Sequence, residues 1–222
     1  SQPLAMPLFG NEFDLPHQTG YHIHDSWPLM AFINDPNNVT INPVAEFGKY
    51  TEALTNSEWD VVTLQPHNSQ GSKLQDDEAW PNLSVGSYQE QWTAPLSSGS
   101  NPETKASREY FDLLYERITQ ETNAKIRTIP VGEILYQLDV SMDQGLIPGF
   151  TSITQFYRDA PHLDNEIGRY VASASTFATL SGADPLDLYK PPGFHLANLY
   201  PLSQEVYDSV NQVIRDVLSA DQ

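Results

Sequence analysis

The chain has no cysteine among its 222 residues. Disulfide bonds, thiolate metal sites and cysteine nucleophiles are therefore excluded. The absence does not indicate a compartment, because a domain of this size can bury a sufficient core without covalent cross-links.

Positive charge is also scarce. The sequence carries 11 Lys and Arg against 29 Asp and Glu, which gives a formal net charge of −18 at pH 7. Such a surface repels phosphate backbones and anionic membrane surfaces, so nucleic acid is excluded as the main partner. A strongly acidic surface favours solubility, and we expect a soluble protein in an extracellular or periplasmic compartment.

Long hydrophobic runs are missing as well. No apolar stretch approaches the roughly 20 residues that span a bilayer, so we expect no membrane insertion. The sequence opens at Ser1 without a basic leader, and we expect a mature form or a fragment. The length predicts one domain over residues 1–222.

Apolar periodicity predicts helices alternating with buried strands. The predicted helices span 46–54, 102–124, 131–142, 165–180 and 203–218. Nearly continuous apolar runs predict strands at 59–65 and 125–130, with a further short strand at 21–24. This alternation favours an α/β fold around a parallel sheet, whose ligands bind beyond the carboxyl ends of the strands. The long polar stretch 66–102 leaves from such an end, and loops of that length tend to carry function.

An Asp-x-x-His turn precedes the predicted helix at 165–180. Asp159 stands three residues before His162. A serine hydrolase needs an imidazole to accept the proton of its nucleophile and an acid to hold that imidazole in the correct tautomer. One short turn can supply both groups. The alternative interpretation makes Asp159 a turn or cap residue, with Asp164 or Asn165 capping the helix that follows.

Three segments resemble the SGNH (GDSL-type) hydrolase superfamily, namely 59–65, 129–133 and 157–168. The resemblance runs over roughly residues 20–180. It implies a three-layer α/β/α sandwich with a parallel, flavodoxin-like sheet, and ester hydrolysis by a Ser-His-Asp set without a cofactor. His162 would then be the general base and Asp159 its orienting acid.

The same resemblance implies an oxyanion hole, which needs hydrogen-bond donors aimed at the developing negative charge. Ser26 lies where a backbone donor is expected, and Gln65 lies near the expected side-chain donor. Asn68 is the competing amide, and His67 stands where it could contact substrate. Gln65 could instead be a buried polar residue that ties the loop to its strand.

The chain departs from the family pattern at the position of the nucleophile. The Gly-x-Ser turn that should follow a first strand has no counterpart before residue 20. Alignment of Met6 and Pro7 with the family places the nucleophile at Ser1 or immediately before it. Ser26 follows an aspartate as in the family motif, but Pro28 and the short preceding strand argue against it. Either the first strand is missing from this sequence, or the protein has lost hydrolysis.

Two other functions remain open. His22 and His24 lie on one face of a predicted strand beside Asp25, and with His162 or Asp159 they could hold Zn²⁺ for a metal-dependent hydrolase. A non-catalytic module could instead stack sugar rings on the aromatic residues Trp80, Tyr88, Trp92 and Tyr157.

The sequence favours the hypothesis that the protein is a serine hydrolase of small acyl esters, with carbohydrate acetyl esters as candidate substrates. The sequence predicts neither the acyl group nor the oligomeric state.

Overall fold

The computed structural model describes residues 35, 37–39, 42–62, 83, 86–95, 107–122, 125–159, 162–188 and 202–220. The chain divides into two compact units. The described residues of the first unit come from 81–93 and 124–222, and those of the second from 18–80 and 94–123.

Within these residues the secondary structure is mostly helical. Helices α1 to α6 span Tyr50–Asn56, Tyr88–Thr93, Arg108–Glu121, Val131–Asp143, Ile167–Ser181 and Gln204–Ala220. Short 3₁₀ helices occupy Ile153–Phe156 and Pro185–Asp187. Strands β1, Tyr157–Asp159, and β2, His162–Leu163, form a two-stranded antiparallel sheet.

Helix prediction succeeded where the apolar period is long and regular. The helices expected at 131–142, 165–180 and 203–218 are confirmed as α4, α5 and α6, with ends that differ by one or two residues. The helix expected at 102–124 is observed as α3 over Arg108–Glu121. Its first turn is capped by the Ser107 side chain, which accepts a hydrogen bond from the Tyr110 backbone N–H at 3.3 Å.

The helix expected at 46–54 is shifted toward the C-terminus, since α1 begins at Tyr50 and residues 45–47 form a turn. The Glu52 carboxylate accepts from the Lys49 backbone N–H at 3.1 Å and so holds the start of α1 at this point.

Helix α2 was not predicted, because its residues fall inside the long polar stretch. Its start carries a reciprocal capping box. The Glu90 N–H donates to the Ser87 hydroxyl at 3.2 Å, and the Ser87 N–H donates to the Glu90 carboxylate at 3.1 Å. The Ser-x-x-Glu spacing is a helix-start signal that the sequence contained.

The two predicted buried strands are wrong for the residues that the structure describes. Neither 59–62 nor 125–130 forms a strand, and residues 63–65 lie outside the described part. Val61 and Val62 are 51% and 55% exposed rather than buried. An apolar run is compatible with a strand, but a strand forms only where a second strand pairs with its N–H and C=O groups. In the described residues the only such pairing is β1 with β2, so a parallel sheet is not shown there.

The core of the first unit is formed by α4, α5 and α6. Helix α5 is buried over most of its length, and its small residues Ala172, Ala174 and Ala178 allow neighbouring elements to approach closely. It ends at Gly182, whose φ of 73° lies in the left-handed region that favours glycine.

A buried hydrogen-bond network ties these helices together. The Tyr170 hydroxyl donates to Asn211 Oδ1 at 2.9 Å, and Asn211 Nδ2 donates to the Leu188 carbonyl at 2.8 Å. Asn211 is 1% exposed, so its polar atoms are satisfied by protein groups rather than by solvent. The network joins α5, α6 and the segment after the second 3₁₀ helix.

None of the helices in the described ranges combines the length and the apolar content that crossing a bilayer requires.

Candidate functional site

The described residues of the Asp-x-x-His segment belong to the antiparallel strands β1 and β2, which we call the hairpin. Asp159 closes β1 and faces His162 at the start of β2, while Tyr157 faces Leu163. The ladder has a register irregularity between Tyr157 and Asp159. Facing residues on paired antiparallel strands lie close together, and this pairing brings the carboxylate and the imidazole into contact.

The contact between the two side chains is short. His162 Nδ1 lies 2.6 Å from Asp159 Oδ1, and the His162 backbone N–H donates to the same oxygen at 3.1 Å. An ionised carboxylate can only accept hydrogen bonds, so Nδ1 is the nitrogen that carries hydrogen in this pair. In the neutral ring the lone pair then lies on Nε2, which makes no hydrogen bond within the described residues.

The pair is open to solvent. The His162 and Asp159 side chains are 53% and 50% exposed. The second carboxylate oxygen, Asp159 Oδ2, lies 3.5 Å from Arg158 Nε. Ion pairs this exposed contribute only about 0–1 kcal/mol to stability. The fold therefore gains little free energy from holding these groups together.

The turn interpretation of Asp159 is also supported by the structure. By accepting the His162 N–H, the Asp159 carboxylate links the end of β1 to the start of β2. The same carboxylate thus binds both the backbone and the imidazole of His162, and the two roles are compatible.

Asp164 caps the helix that follows, as the sequence allowed. Its Oδ1 accepts from the Glu166 N–H at 3.2 Å and from the Gly168 N–H at 2.7 Å. Its own backbone N–H donates to the Phe156 carbonyl at 2.8 Å. Asp164 therefore connects the start of α5 to the residue before β1.

Burial raises the pKa of Asp164, and the negative charge of Glu166 adds to this effect. The hydrogen bonds from the Gly168 and Glu166 amides lower the pKa, but they do not offset the loss of solvation. The ionised form of Asp164 is therefore less favourable in the folded protein than in water.

A buried carboxylate, that of Asp139, anchors the segment that leads into β1. Asp139 on α4 is 7% exposed, and its Oδ1 accepts from the Ile153 N–H at 3.0 Å. This bond fixes the 3₁₀ helix that leads directly into β1. Burial raises the pKa of the Tyr157 hydroxyl well above its usual range, and the charge of Asp139 contributes to the rise. Asp139 was not predicted as a site residue. The signal for its burial is its position four residues after Leu135 and three before Met142, on the apolar face of α4.

The other predicted site residues lie outside the described residues. These are the candidate oxyanion-hole and substrate contacts Ser26, Gln65, His67 and Asn68, and the candidate metal ligands His22, His24 and Asp25. In the described ranges, no three His, Asp or Glu side chains come close enough together to hold a metal ion.

The alternative in which Tyr88 and Trp92 stack on sugar rings does not fit their burial. Their exposures are 1% and 5%, so both rings belong to the core. The Tyr88 hydroxyl donates to the Gly132 carbonyl at 2.9 Å, and Trp92 Nε1 donates to Glu133 Oε2 at 2.7 Å. Large aromatic residues bury so much apolar area that packing against α4 accounts for both. Of the other two members of the set, Trp80 lies outside the described residues, and Tyr157 is half-buried in β1.

No protein-family model, curated protein or solved structure matches the chain. The candidate site therefore depends on the geometry of the hairpin and on the motif that it carries.

Proposed function

We propose that the protein is an SGNH-like serine hydrolase that cleaves small acyl esters, with Asp159 and His162 as its acid–base pair. The supporting observation is the 2.6 Å contact between His162 Nδ1 and Asp159 Oδ1. It leaves Nε2 as the proton acceptor on a half-exposed ring. The proposal includes the flavodoxin-like three-layer fold that the motif resemblance implies.

In the proposed reaction, His162 Nε2 takes the proton of a serine hydroxyl while the serine oxygen attacks the ester carbonyl. Asp159 stabilises the imidazolium that forms. The tetrahedral oxyanion is stabilised by a backbone amide near Ser26 and by the side-chain amide of Gln65 or Asn68. His162 then gives its proton to the leaving alcohol, and water attacks the acyl-enzyme to release the acid.

The proposed nucleophile is a serine at or before position 1, outside the described residues. The proposed substrates include acetyl esters of carbohydrates, and the proposed location is extracellular or periplasmic. The acidic surface repels anionic esters, so neutral esters fit the net charge of −18 better.

The test uses the full-length protein with p-nitrophenyl acetate and a fluorophosphonate probe. His162→Ala and Asp159→Asn should each lower kcat and the labelling rate by about 10²- to 10⁴-fold, the range expected for general acid–base catalysis. Both variants should change the free energy of unfolding by no more than about 1 kcal/mol, because the pair is exposed. Asp216→Asn is the matched control, since this exposed carboxylate on α6 only accepts from Gln212 Nε2.

Three results would count against the proposal. Wild-type protein that neither hydrolyses the ester nor reacts with the probe would refute it. Labelling of His162→Ala at the wild-type rate would remove His162 as the base. Activity abolished by EDTA and restored by Zn²⁺ would support the metal-dependent alternative. Acetate release from a peracetylated monosaccharide tests the carbohydrate substrate.

A further inference from the structure

Helix α5 lies unusually close to the base of the hairpin at Gly168. A Cβ atom at this position would overlap the Phe156 carbonyl oxygen. It would also lie 3.0 Å from Leu163 Cβ and 3.1 Å from Asp164 Oδ1. A backbone carbonyl cannot rotate away as a flexible side chain can, so any larger residue must displace either the helix or the hairpin.

The reason for a glycine here is space rather than backbone conformation. Gly168 lies in the first turn of α5, where alanine is intrinsically more favourable than glycine. It is not among the glycines with positive φ. The close approach of backbone atoms is therefore the feature that requires glycine.

The atoms that surround Gly168 flank the candidate site on both strands. Phe156 immediately precedes β1, which ends with Asp159, and Leu163 immediately follows His162 in β2. Hydrogen bonds fix the same atoms, because Gly168 N–H donates to Asp164 Oδ1 at 2.7 Å and Asp164 N–H donates to the Phe156 carbonyl at 2.8 Å.

We propose that Gly168 is a positioning residue for the Asp159–His162 pair. Its lack of a side chain lets α5 hold the bases of β1 and β2 at the separation that brings Nδ1 against the carboxylate. The catalytic consequence rests on the proposed function, whereas the geometric consequence does not.

The test compares Gly168→Ala with two other glycine variants of the same unit. At Gly132 a Cβ would overlap the Trp92 ring, so Gly132→Ala strains the core away from the hairpin. At Gly86 the nearest atom is a Glu90 carboxylate oxygen at 3.6 Å, an ordinary van der Waals distance, so Gly86→Ala should be tolerated. Urea unfolding of all three variants separates loss of stability from loss of geometry.

The geometric readout is the tautomer of His162. Two-bond ¹H–¹⁵N spectra of histidine-labelled protein report which ring nitrogen carries hydrogen, and His162→Ala assigns the signal. Wild-type protein should hold the Nδ1–H form. Gly168→Ala should shift the ring toward the Nε2–H form that free imidazole side chains prefer, whereas Gly132→Ala and Gly86→Ala should leave it unchanged.

The kinetic experiment measures kcat and KM separately for p-nitrophenyl acetate. Gly168→Ala should lower kcat by about 100-fold with little change in KM, the effect expected of a small misplacement of a reacting group. Wild-type tautomer and wild-type kcat in folded Gly168→Ala would overturn the inference. A tautomer shift in a protein without esterase activity would support the positioning role while refuting the proposed function.

A second variant covers the case in which Gly168→Ala does not fold. Asp164→Ala removes the hydrogen bond between α5 and the hairpin without adding an atom. It should shift the His162 tautomer in the same direction. An unchanged tautomer in this variant would overturn the inference.

Discussion

The Asp164 carboxylate allows the connection between α5 and the hairpin to be tested quantitatively. Asp164→Ala leaves the N–H groups of Glu166 and Gly168 without the oxygen that they now share at 3.2 and 2.7 Å. Loss of a side-chain cap costs about 0.5–2 kcal/mol, and we expect a value of about 1–2 kcal/mol because two donors lose their acceptor. Asp164→Asn keeps an acceptor oxygen and removes only the charge.

The direction of the pH dependence follows from the raised pKa of Asp164. In the unfolded chain an aspartate ionises near about pH 3.9, and in the folded protein it ionises at a higher pH. Between these values the unfolded state releases its proton first, so stability falls as pH rises through the folded pKa. Below the unfolded pKa both states are protonated and this loss is absent.

Asp164→Asn should therefore be at least as stable as wild type at pH 7, and its advantage should shrink toward pH 4. Asp164→Ala should be destabilised at both pH values. Urea midpoints of the three proteins at pH 7 and pH 4 give this comparison.

Ser152→Ala is the matched control, because the Ser152 hydroxyl caps a 3₁₀ helix in the same unit and does not ionise. Its cost should not change with pH. If Asp164→Asn were as destabilised as Asp164→Ala at pH 7, the charge itself would stabilise the cap, and burial would not be the dominant effect on the Asp164 carboxylate.

Two further predictions concern buried polar groups. Asn211→Leu should cost about 1–3 kcal/mol in urea unfolding, because it removes the buried hydrogen bonds that Asn211 makes with the Tyr170 hydroxyl and the Leu188 carbonyl; a cost below about 0.5 kcal/mol would contradict the network. Burial raises the pKa of Tyr157 and Tyr170. Above about pH 10 the unfolded state therefore loses these phenolic protons before the folded state does, and the free energy of unfolding should fall as the pH rises further. Their tyrosinate absorbance should appear together with loss of the helical circular dichroism signal, and ionisation of all 11 tyrosines with the helices intact would contradict this.

The helices were predictable because their signal is local. In α6, Val206, Val210, Ile214 and Val217 are buried and recur with the helical period, which any window of the sequence displays. The Ser87–Glu90 capping box was equally local and could have predicted α2.

The strands were not predictable in the same way. The run around Val61 and Val62 has the composition of a buried strand, yet both side chains are half-exposed. Strand formation depends on a partner that is distant in sequence, and composition carries no information about that partner. The same limit applies to Tyr88 and Trp92, whose burial depends on α4 more than 40 residues later.

The candidate site likewise combines features that depend on local sequence with features that depend on tertiary packing. The spacing of Asp159 and His162 was enough to predict that the two groups lie close together before a helix, because chain connectivity keeps residues three apart within reach of each other. Three features could be seen only in the folded chain. Nδ1 of His162 contacts the carboxylate, Asp139 and Asp164 hold the segments on either side of the hairpin, and Gly168 leaves room for the Phe156 carbonyl. These features depend on how closely atoms of different elements approach each other, and packing sets those distances where sequence spacing does not.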